Sequence, residues 1–113
     1  MNNRSWPCGS FERLLSSLAD GKGAQAMTVY MVERNLKGIS MDDLAGAQKA
    51  AIGKAAEMKA GGTDIRYIRS TFAPEEGTCL CLFEAGDKAQ VKQLNEEAGL
   101  PFNRIVEALD LTP

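Results

Sequence analysis

The 113-residue chain contains no histidine, so no imidazole is available as a metal ligand. It also lacks any apolar run near the roughly 18–20 residues needed to cross a bilayer, and no membrane association is expected. Charge of one sign is not in excess. With 13 Lys and Arg against 15 Asp and Glu, the net charge of -2 offers no electrostatic footprint for a polyanion, and nucleic acid is not an expected partner. The cysteines number three, an odd count without framework spacing, which argues against a secreted disulfide scaffold and for a reducing compartment. The first 26 residues place Arg4, Glu12 and Arg13 among Trp6, Phe11, Leu14 and Leu15, so they lack the uninterrupted apolar stretch of about 7–15 residues that a secretory signal requires. A cytoplasmic location is expected.

What is present is an ordinary globular balance, 44% hydrophobic and 25% charged, in a length that suits one domain with a modest core. Residues 1–26 read differently from the rest. Ser10 can cap a short helix through Phe11, Leu14, Leu15 and Leu18, and Gly21-Lys22-Gly23 stops it. This segment is expected to be an optional, partly flexible extension, or an over-long start-site assignment, ahead of a domain over residues 27–113.

Residues 28–34, with Val29, Tyr30, Met31 and Val32, predict a first strand closed by Lys37-Gly38. Ser40 then opens a helix whose first turn holds Asp42 and Asp43, where negative charge suits the helix dipole. Leu44, Ala47, Ala51, Ile52, Ala55 and Met58 recur at helical spacing until Gly61-Gly62 ends it. Two further strands, 65–72 and 78–85, flank a hairpin connection at 73–77. Asp87 caps a second helix with Val91, Leu94, Asn95 and Ala98 on one face, stopped by Gly99 and Pro101. A last strand is expected over 105–111. The order βαββαβ is that of an α+β, ferredoxin-like sandwich: a four-stranded antiparallel sheet with two helices on one face.

Two helices cover one face of such a sheet, and the other should turn polar if it met water. Here both faces carry apolar side chains: Val29 and Met31 against Tyr30 and Val32, and Leu80 and Leu82 against Cys79, Cys81 and Phe83. A second copy of the chain is the simplest cover for the open face, which predicts a two-fold homodimer enclosing an interior cavity.

The candidate site lies at the sheet end where the first strand finishes. Glu33 and Arg34 converge there with Arg69, Ser70, Thr71, Cys79 and Arg104. A Glu–Arg pair beside hydroxyl groups can hold a polar or anionic small molecule at the mouth of an apolar cavity lined by Tyr30 and Tyr67. The plainer reading is a salt bridge closing the sheet edge or fixing the dimer. Glu84 belongs elsewhere, because antiparallel pairing sets it about 15 Å from Glu33. Cys79 and Cys81 share a strand face about 6.5–7 Å apart along it, so they read as reduced core residues, or as soft-metal ligands alongside Glu33. Glu75-Glu76 and the helical lysines read as solvated surface.

Tyr30-Met31-Val32-Glu33-Arg34, Ser70-Thr71, Cys81-Leu82-Phe83-Glu84-Ala85 and Ala98-Gly99-Leu100-Pro101, followed by Ile105, resemble a family of small bacterial proteins of unknown function. Some members of that family bind nickel, and it falls within the dimeric α/β-barrel proteins. The resemblance spans residues 27–112 and implies the ferredoxin-like fold, the dimer and a divalent metal ion as possible cofactor. It also implies histidine ligands, one at the position of Glu33 and others around Asn95, Leu100 and Val106. None is present here, and carboxylates alone lean towards Mg²⁺, Ca²⁺ or Mn²⁺. The functional expectation is a dimeric protein binding a small ligand or metal ion. The alternatives are an enzyme acting on a small apolar or aromatic substrate, with Glu33 as base and Arg34 or Arg104 steadying an anion, and a structural or interaction module.

Overall fold

In the computed structural model, which describes residues 27–113, the β-branched and aromatic run at the start of the domain forms β1 (Thr28–Asn35). The proposed extension over residues 1–26 lies outside the described residues. Helix α1 (Met41–Ala60) begins where Ser40 Oγ accepts the Asp43 N–H at 3.0 Å, and Asp42 and Asp43 occupy its first turn. Strands β2 (Ile65–Ala73) and β3 (Thr78–Ala85) form the expected antiparallel hairpin. Asp87 accepts the Gln90 N–H at 2.9 Å to start α2 (Lys88–Glu97), and β4 (Arg104–Ala108) closes the fold.

The sheet runs β2-β3-β1-β4 with every neighbouring pair antiparallel, and both helices pack on one face. This is the ferredoxin-like arrangement. The core lies between that face and the helices, with Val32, Ile65, Phe83, Val91 and Leu94 almost completely buried. Ala51 and Ala55 are buried too, their small side chains letting α1 settle close to the strands. Ile52 departs from its expected place in the inward stripe and is 46% exposed, because that stripe is carried by Ala51, Ala55 and Met58.

Three local features shape the sheet. The pairing of β2 with β3 slips between Tyr67 and Arg69, leaving Ile68 as an extra residue. Without it, strict alternation would put Tyr67 and Ser70 on opposite faces; with it, they stand opposite Phe83 and Cys81 on the helix-covered face. Gly77, at φ 78°, has its missing Cβ only 2.4 Å from Lys37 Cα, and its carbonyl accepts the Leu36 N–H at 2.7 Å. Only glycine allows the β2–β3 turn to clamp the loop after β1. Finally, β4 ends at Ala108 rather than continuing to residue 111. The chain leaves the sheet there, and Asp110 ion-pairs with Arg69 on the opposite edge strand, so the tail crosses the uncovered face with Leu109 and Leu111 pointing outwards. Among the described residues no helix is long and apolar enough to cross a membrane.

Candidate functional site

The residues expected at one site are divided by the sheet. Glu33 and Arg104 are register partners on the open face and form an ion pair, Arg104 exposed and Glu33 half-buried. Arg34, one residue further, points the other way and is 3% exposed. Its Nη1 donates to Asn95 Oδ1 at 2.8 Å and to the Pro101 carbonyl at 3.1 Å, while Asn95 Nδ2 donates to the Val91 carbonyl at 2.8 Å. Asn95 is fully buried and orients the guanidinium across the gap between α2 and β1. Its position on an otherwise apolar helical face was the sequence signal for such a role, since a buried amide needs partners.

On the helix-covered face, beyond Arg34, a cavity of about 130 Å³ opens between α1 and the sheet. Leu36, Leu44 and Phe72 supply apolar wall, and Arg34, Ser70 and Gln48 supply polar groups, with both thiols of β3 lining the floor. A chain of hydrogen bonds runs along one side. Gln48 Nε2 donates to the Tyr67 hydroxyl at 3.0 Å, Tyr67 and Ser70 hydroxyls meet at 2.6 Å, and Ser70 Oγ donates to Cys81 Sγ at 2.9 Å. Tyr67 is held by an edge-on contact with Phe83, ring centroids 5.5 Å apart. Tyr30 is half-buried on the same face and is not part of the cavity wall.

The two thiols lie 3.8 Å apart, sulfur to sulfur, and both are free. Burial pushes the Cys79 thiol up to about 11, and the neighbouring Cys81 adds to the shift, while the Arg34 guanidinium opposes it. Cys79 is therefore a neutral thiol near pH 7.

The metal ligands expected from the sequence are not brought together. Glu33 lies on the open face and Cys79 and Cys81 on the covered one, because odd and even positions of β1 alternate. Among the described residues no three His, Cys, Asp or Glu side chains gather closely enough to hold a metal ion. With no imidazole in the chain and Glu33 parted from the two thiols, the described residues assemble no donor set that fits nickel. Glu84 stands at the far end of the open face, opposite Val29, and pairs with Arg66 at 2.8 Å.

The architecture places the chain among ferredoxin-like α+β proteins. A family model described as "Nickel responsive protein SCO4226-like" matches residues 30–108, and the chain belongs to that family. The crystal structure of SCO4226 from Streptomyces coelicolor A3(2) is similar in fold, with a TM-score of 0.62 at 24% identity over 74% of this chain and 99% of that one. No curated protein matches the sequence.

Proposed function

We propose that this protein is a small-molecule binder whose site is the cavity between α1 and the sheet. The observation that carries the reading is the convergence of a buried cation, a hydroxyl and an amide on an apolar space of about 130 Å³. Binding sites are mostly apolar concavities with a few placed polar groups, and the β-bulge that turns Ser70 inwards is the kind of feature that recurs beside them. Of the residues expected to bind ligand, Arg34 and Ser70 line this space and Tyr67 braces it. Glu33 and Arg104 instead support the plainer reading of an ion pair at the sheet edge.

The same proposal includes a homodimer through the open face. Val29, Met31, Leu80, Leu82 and Val106 are only half-buried there, and Leu109 and Leu111 project from the crossing tail. Charged pairs rim this apolar patch, the pattern of a surface that meets a partner. Native mass spectrometry of protein purified without an affinity tag tests both parts. The expected result is a two-chain mass with a retained organic ligand that is lost in Ala47→Leu, which fills the cavity. Monomeric, ligand-free protein that also fails to bind small molecules added in solution would end the reading.

The family description brings nickel into view. For this chain the expected result is weak Ni²⁺ binding by titration calorimetry, unchanged in Glu33→Gln. Stoichiometric, submicromolar binding lost in that variant would show that a carboxylate has replaced imidazole and would reverse the assignment.

A further inference from the structure

We infer that the cavity ligand is a small organic anion, a short carboxylate whose charged end sits against Arg34 and whose hydrocarbon end lies along Leu36, Leu44 and Phe72. The inference rests on the ligand-binding reading above and specifies the chemistry of that site.

A buried charge is stable only when paired or fully hydrogen-bonded, because removal from water costs several kcal/mol or more. Arg34 is 3% exposed, yet among the described residues no carboxylate approaches it: the acceptors on Nη1 are an amide oxygen and a backbone carbonyl, both neutral. The N–H groups on Nε and Nη2 meet no oxygen acceptor among the described residues. The nearby sulfur of Cys79 belongs to a protonated thiol, so it does not supply the missing negative charge. The neighbouring carboxylate of β1, Glu33, does not serve either, since it is on the opposite face and is engaged by Arg104.

What the guanidinium does face is the cavity, which it lines together with the Ser70 hydroxyl. Planar guanidinium groups match carboxylates in a two-point geometry. The apolar wall excludes a fully hydrated inorganic ion as the best fit. A space of about 130 Å³ suits a short carboxylate such as butyrate.

The test is an NMR titration of the full chain with butyrate, its neutral isostere butyramide, and nitrate. Butyrate is expected to shift the Arg34 side-chain N–H and the amides of Ser70 and Cys79 saturably, with affinity about tenfold or more above butyramide, as charge-assisted hydrogen bonds predict. Nitrate is expected to bind more weakly than butyrate. In Arg34→Met the preference for butyrate over butyramide should disappear. The acid–amide contrast is measured on the native chain, so the outcome does not depend on whether that variant folds. Equal affinity for butyrate and butyramide overturns the anion assignment and leaves the ligand-binding reading standing. Nitrate binding as tightly as butyrate overturns the organic character. Silence from all three probes overturns this inference, whereas the broader reading falls only if the native mass spectrum and further neutral probes are also blank.

Discussion

The two faces of the sheet solve the placement of charge in opposite ways. On the open face Arg66, Arg69 and Arg104 each meet a carboxylate, and all three are more than half exposed. On the covered face Arg34, the single arginine there among the described residues, is buried and held by neutral groups beside a cavity. Exposed pairs lose most of their attraction to solvent screening, so the first arrangement contributes little to stability. The second commits a charge to the interior, where each surrounding hydrogen bond matters more and a missing counter-charge becomes a specification for a ligand.

The sharpest way to break this contrast is to truncate one apolar residue on each face. Phe83→Ala removes a fully buried ring and its contact with Tyr67 and is expected to cost about 3–5 kcal/mol in urea unfolding. Leu82→Asp, its neighbour in sequence, should leave the monomer fold intact and dissociate the proposed dimer, read by sedimentation. Equal destabilisation by both would mean that the open face is core in its own right.

The arginines give the next largest difference. Arg34→Ala strands the Asn95 amide oxygen and the Pro101 carbonyl and is expected to cost about 3 kcal/mol, whereas Arg104→Ala should cost less than about 1 kcal/mol. Cys79 extends the comparison to pH. Its folded value of about 11 lies above the ordinary 9.0, so the folded state holds its proton more tightly than the unfolded state. Stability from this group is complete below pH 9 and is lost as pH rises towards 11, by on the order of 2 kcal/mol. In Cys79→Ala the alkaline fall in melting temperature should be shallower. The smallest effect compares adjacent hydroxyls: Ser70→Ala interrupts the link from Tyr67 to Cys81 and should cost about 1 kcal/mol, while exposed Thr71→Ala should be nearly neutral by thermal unfolding.

Much of the fold was legible because it rests on local signals. Ser40 and Asp87 cap the helices as their side-chain chemistry requires, and Gly62 and Gly99 take positive φ where the helices end. The antiparallel pairing of β1 with β3 that the βαββαβ order requires gave the separation of Glu33 from Glu84. The end of β4 was less legible. Leu109 and Leu111 continue the alternation of a strand, but the Asp110–Arg69 ion pair draws the tail across the sheet, and neither partner announces the other in sequence.

The sequence by itself determined which elements form, their order and the end of the sheet at which the polar residues meet, since caps, periodicity and turn glycines act over a few residues. Tertiary structure alone decided the site. Which face a residue joins depends on pairing across strands, so the bulge at Ile68 brings Ser70 to Tyr67, the alternation of β1 parts Glu33 from Arg34, and α2 delivers Asn95 to a guanidinium 61 residues away. Burial then gives these residues their chemistry: the same arginine that would be an ordinary surface cation is, beside a protonated thiol, a charge with no carboxylate against it among the described residues.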